Sequence, residues 1–220
     1  MIVARECLVD GDVSGENLTD FWNRRAVYLS KAYSIPSTEY YQKSIPEFQK
    51  ILSIPAFSTV HLWFERDLFC QVNFWFCCSL INRSDVEVFL VIPSKDIGWS
   101  GFANMKTAEL KKQILAKERL SKDDIQFFNQ CWIAFKHNRF LDLKSLADAS
   151  KFDFIKQAIN AHLNRGIEDD NQPTIVLKRI IEDLKTVEFS AIFESFCERE
   201  GVYGFTDIHI KRLLTKIQKE

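Results

Sequence analysis

Glycine and proline are scarce in these 220 residues, with 7 of the first and 5 of the second. So few turn-formers leave little room for long irregular connections and exclude collagenous and low-complexity architectures. No internal repeat is present, which sets aside solenoids and propellers. Long hydrophobic runs are also missing: the longest, Val72 to Ile81, is too short to cross a bilayer, so no membrane partner is expected. Nor does charge of one sign dominate, since 29 Lys and Arg stand against 30 Asp and Glu for a formal net charge of -1. No segment carries the basic excess with which a module grips nucleic acid chiefly by electrostatics, so nucleic acid is possible but not favoured. The six cysteines include no C-x-x-C pair and no Cys/His spacing of the zinc type, and no metal site is expected. Most of them lie in apolar runs and no signal peptide precedes them, which points to reduced thiols in a cytoplasmic protein. The P-loop, G-x-G-x-x-G, G-x-S-x-G and H-E-x-x-H motifs are all absent, so no cofactor can be named.

What is present is globular and aromatic. Hydrophobic residues make up 46% of the chain and charged ones 27%, and 19 Phe with 5 Trp should carry much of the packing. Ile2-Val3-Ala4 reads as the start of a strand. Asn17 to Tyr33 reads as a helix with Asn17 as cap and Phe21, Trp22, Leu29 and Tyr33 as its apolar side. Ser44, Pro46 and Glu47 suggest a capping box opening a second helix. TVHLWFERD, residues 59–67, is a β-rich run that breaks into charge, LFCQVNFWFCCSLIN reads as a buried helix, and EVFLVIPS, residues 87–94, as a buried strand. Strand, helix, strand, helix, strand in this order predicts a small parallel Rossmann-like α/β sheet.

Beyond the aromatic loop KDIGWSGFANM the pattern turns helical. Helices are expected over 107–120, from a Ser121/Asp124 cap to about 137, over 145–164, and over 174–184, 188–200 and 206–219, with a polar linker at 166–173. The predicted organisation is an α/β domain over 1–105 and an all-helical domain over 106–220.

The stretch ARECLVDGDVSG, Ala4 to Gly15, points to where a site would lie. A first strand ending at Arg5 or Glu6 would place Arg5, Glu6 and Asp10 at the carboxyl edge of the sheet, where open α/β sheets bind ligands. The next strand would deliver Trp63, Glu65, Arg66 and Asp67 to the same edge. Asp67 would cap the following helix, with Gln71 four residues on over the same face. Arg5 or Arg24 would then receive an anion, and Lys95, Asp96 and Trp99 would form the rim. In the competing reading these charges form only a structural network, Arg5 and Glu6 pairing with Asp67 and Arg24. Cys7 beside Glu6 could serve as a nucleophile, but the sequence identifies no base for it, and a small buried thiol is the simpler account.

RECLVDG at Arg5–Gly11 and WFERDLFCQ at Trp63–Gln71 resemble the bacterial family known as domain of unknown function 1835, with a looser echo in YGFTD at Tyr203–Asp207. The resemblance implies an α/β N-terminal domain and supplies no reaction. The strand and G-D-S-like turn usual in that family do not precede RECL here, which weakens any nucleotide-binding expectation. The leading functional expectation is binding of a small anionic or nucleotide-like ligand at the carboxyl edge of the sheet, with hydrolysis as its enzymatic version. One alternative is a ligand-sensing DNA-binding regulator in which the last three helices form a helix-turn-helix presenting His209, Arg212, Lys216 and Lys219. A pure protein-interaction module is another, and a homodimer completing an exposed sheet edge is conceivable.

Overall fold

The structure is a computed structural model of the chain and describes residues 1–165 and 171–219. At its centre is a β-α-β unit. Strand β1, Thr59–Trp63, leads through Asp67 into helix α4, Leu68–Leu80, and back to β2, Glu87–Val91, which pairs parallel to β1 with Thr59 opposite Glu87 and Trp63 opposite Val91. Parallel neighbours need a crossover of this kind. Helix α4 has no polar stripe and buries Val72, Phe74, Trp75, Phe76, Cys77 and Cys78, as a helix apolar all round must.

Three helices precede this unit: α1, Leu18–Tyr33, α2, Ser37–Lys43, and α3, Ile45–Leu52. After it come a 3-10 turn at Lys95–Ser100, α5, Thr107–Leu115, and a three-residue strand β3, Glu118–Leu120. The chain continues through α6, Lys122–Lys136, α7, Phe140–Ala149, α8, Asp153–Arg165, α9, Gln172–Leu184, α10, Phe189–Glu200, and α11, Asp207–Ile217. Helices α6 and α8 pack on α4. Aromatic rings fill the contact: Phe74 lies 4.5 Å from Phe128, and Phe76 lies 4.8 Å from Trp132 between ring centroids. Among the described residues no helix is long and apolar enough to cross a membrane.

The α/β class with a largely helical second half agrees with the sequence, and the finer expectations change. The sheet is mixed, because β3 runs antiparallel to β2 with Leu120 opposite Val88. Its residues were expected to extend α5, but that helix stops at Ala116 and leaves Leu115 86% exposed. The expected first strand does not form. Residues 1–7 are irregular, and the amides of Arg5 and Glu6 fold back onto the carbonyls of Val3 and Ala4 at 2.8 and 3.1 Å instead of pairing with a neighbour. The Ser44 capping box is also absent. Ser44 has helical backbone angles and makes no side-chain cap bond, while Glu47 accepts from the Val3 amide and pairs with Lys50. The caps at Asn17, Asp67 and Ser121 form as expected. Most of the linker expected at 166–173 lies outside the described residues.

Candidate functional site

The opening stretch is held from beneath by one buried cation. Arg25, on the inner face of α1, donates to the carbonyls of Cys7 at 2.9 Å, Asp10 at 2.7 Å and Asp12 at 3.1 Å, and pairs with Glu6 at 2.8 Å, both side chains being fully buried. Glu6 also accepts from the Cys7 amide and the Tyr40 hydroxyl, and its backbone carbonyl accepts from Asn73 of α4 at 2.8 Å. A buried ion pair needs such further hydrogen bonds to offset its desolvation, and of this pair's side-chain polar atoms only the Arg25 Nε is left without a partner among the described residues. Glu6 thus faces Arg25, and Arg24 instead lies exposed with Asp20 at 3.0 Å and Asp12 at 3.8 Å.

Asp10 sits a turn away under α11. One carboxylate oxygen accepts from Tyr28 at 2.7 Å, Tyr33 at 2.6 Å and Arg212 at 2.7 Å. Burial opposes its ionisation, but the two tyrosines and Arg212 hold its pKa down at about 2. Beside it, His209 Nε2 is 3.2 Å from Cys7 Sγ and 3.1 Å from the Tyr33 hydroxyl. The Thr206 amide donates to His209 Nδ1 at 3.1 Å, so the neutral ring carries its proton on Nε2 and donates toward Cys7. Burial lowers the His209 pKa to about 4 and raises that of Cys7 to about 12. The base that the sequence could not supply for Cys7 is therefore present in space, but in a tautomer that cannot take the thiol proton. Of the residues assigned from sequence to an outward face of the last helix, His209 turns into the protein, and Arg212, its side chain 41% exposed, reaches back along the surface to Asp10.

The third group lies at the carboxyl end of β1. Phe64 to Asp67 leave the strand, and Asp67 caps α4 by accepting the Cys70 amide at 2.9 Å. Gln71, fully buried, donates its Nε2 to the Glu65 carbonyl at 2.6 Å, and its carbonyl oxygen has no partner among the described residues. Ligand atoms of Glu65, Asp67 and Cys70 all lie within 4.8 Å of one another. Backbone presses close on both carboxylates. A Cβ on Gly101 would fall 2.0 Å from the carboxylate of Glu65, one on Gly204 would fall 2.0 Å from Asp67 Oδ1, and both glycines have positive φ. The Phe102 amide donates to Glu65 at 2.6 Å. Burial, countered by the Cys70 amide and reinforced by the charge of Glu65, pushes the Asp67 pKa up to about 6.

These residues open on a cavity of about 860 Å³ between the sheet edge, the 3-10 turn and α10. Its described walls hold the carboxylates of Glu65, Asp67, Glu194, Glu198 and Glu200 and the rings of Phe69, Trp99, Phe193 and Phe205, and they contain no Lys or Arg. Trp99, 39% exposed, packs over Gly201 at the rim.

The residues expected to share one crevice are thus divided. Asp67 lines the large cavity, with Gln71 bracing the Glu65 backbone behind it. Trp63 is 38% exposed and packs on Phe102 at 5.2 Å. Glu6, buried in the Arg25 network, and the exposed Arg5 both line a separate cavity of about 350 Å³, while Asp10 lines the pocket under α11. Without a first strand there is no adjacent strand end to carry them to Asp67. No family model, curated protein or solved structure matches this chain.

Proposed function

We propose that the chain binds a small ligand in the cavity at the carboxyl end of β1, and that the ligand brings a positive charge to Asp67 and Glu65. The observation that carries this reading is Asp67. It is 6% exposed, lines the cavity, and forms no ion pair with a described Lys, Arg or His. A buried carboxylate without a countercharge costs several kcal/mol, and a cationic group entering the cavity removes that cost. Trp99, Phe69 and Phe205 add ring faces that suit an apolar body or a cation. An anionic or nucleotide-like ligand fits this wall only when it arrives with a metal ion. The two sequence blocks remain the basis for proposing kinship with the domain of unknown function 1835 family, and Asn73, two residues beyond the second block, donates to the Glu6 carbonyl of the first.

The test is a thermal-shift screen of organic amines, nucleotides and sugar phosphates, each with chelator and with divalent metal, on wild type and Asp67→Asn. Asn keeps the helix cap and removes the charge. A ligand at about 100 times its Kd stabilises by about 2.7 kcal/mol, which raises the midpoint of a protein this size by about 5 °C or more. The expected result is such a rise for an amine or a metal-supplied anion, lost in Asp67→Asn. Bare anions stabilising both proteins equally in chelator, or no compound stabilising the wild type, would remove the reading.

A further inference from the structure

We infer that Glu65, Asp67 and Cys70 form a centre for a thiophilic divalent cation of the zinc class, with a coordination position open to the cavity. The inference rests on the cavity reading above and names the positive charge. Two carboxylate oxygens and a sulfur within 4.8 Å of one another supply a mixed oxygen and sulfur donor set, which favours zinc-like ions over magnesium or calcium.

Two observations away from that distance point the same way. Asp67, 6% exposed, has no partner for its carboxylate beyond its own backbone and Cys70, itself a member of the cluster. The Gln71 carbonyl oxygen, at the far end of the amide that holds Glu65, is fully buried and unpartnered among the described residues. The described wall of the cavity is rich in acceptors and holds no Lys or Arg, which is the imbalance a metal ion corrects. Three protein ligands with a fourth position facing solvent or substrate is the arrangement of zinc sites that act on a ligand, whereas structural sites are closed by four. On coordination the Cys70 thiol gives up its proton to solvent and binds as thiolate.

The other candidates carry less. Cys7 and His209 are held in the tautomer that forbids base catalysis, and the basic pocket under α11 includes Arg212, which already pairs with Asp10.

The experiment is titration of the chelator-treated full chain with cobalt(II), read by the sulfur-to-cobalt charge-transfer absorption in the near ultraviolet, followed by displacement with zinc(II). The expected result is one equivalent of cobalt, a band lost in Cys70→Ser and kept in Cys197→Ser, whose thiol lines the same cavity, and a band lost in Asp67→Asn. Circular dichroism of each variant confirms that it is folded. A band that persists in folded Cys70→Ser, or no stoichiometric uptake by wild type, overturns the metal centre. In the second case an amine that still stabilises the wild type and not Asp67→Asn leaves the cavity reading standing without it.

Discussion

His162, on α8, lies 4.7 Å from the ring of Phe135 and 5.7 Å from that of Phe140, with both of its nitrogens buried and unpartnered among the described residues. Burial, helped by Arg165, lowers its pKa from 6.5 to about 4. The unfolded chain therefore takes up this proton at higher pH than the folded one. The stability contributed by the neutral ring is complete above pH 6.5 and is lost as the pH falls from there through about 4. His209, lowered to about 4, acts in the same window, whereas Asp10, held at about 2, adds its loss only below 3.8. His162→Phe removes two unsatisfied polar atoms among rings. It should stabilise the protein by about 1–3 kcal/mol, raise the melting midpoint by about 2–4 °C for each of these, and flatten the decline between pH 6.5 and 4. A variant that melts below wild type at neutral pH would show that this imidazole is satisfied after all.

At the scale of the element, α1 holds the opening stretch chiefly through the buried Arg25, with Tyr28 and Tyr33 donating to Asp10 beside it. Arg25→Met leaves the Glu6 carboxylate buried without a countercharge, takes the guanidinium donor from the carbonyls of Asp10 and Asp12, and leaves that of Cys7 only the Asp10 amide. It should cost about 3–5 kcal/mol. Arg24→Met, one residue along and exposed, should change stability by about 0.5 kcal/mol or less. Urea unfolding of the pair checks this, and equal losses would refute the assignment. The distinction was available in the sequence. Position 25 is four residues from Phe21 and three from Trp22, on the same buried stripe, whereas a reading by charge alone stopped at Arg24. The β1-α4-β2 unit was legible because apolar runs of strand and helix length sit between polar breaks, and Asp67 was legible as a cap before a helix. Residues 2–4 and 118–120 were not, since three residues carry no usable period, and their state is set by whether a neighbouring strand has a free edge. Glu65 and Cys70 stood in plain view beside Asp67, but only the bend out of β1 and the first turn of α4 bring their donor atoms together.

On the scale of the whole molecule, a boundary at residue 105 falls between β2 and β3 of one sheet, and the buried cluster runs from Leu8 through α4 and α6 to Ile210 without a break. Residues 1–105 alone would expose the face of α4 that meets Phe128, Trp132 and Phe135, and 106–220 alone would expose those rings. Expressed separately, neither piece should show a cooperative unfolding transition, and mixing the two should restore one. Calorimetry on the pieces decides this, and a sharp endotherm from either alone would mean that the halves are independent domains.

The contacts of Asp10 with Arg212 and of Cys7 with His209 each join residues 202 positions apart. A ribosome adding about 5–20 residues per second needs on the order of ten seconds or more to cover that distance. Throughout that interval Asp10 and the Cys7 thiol of the nascent chain wait without their native covering, and only the arrival of α11 closes over them. The stretch around Cys7 and Asp10 therefore matures only once α11 has been made, and until then it stays open to proteases and oxidants.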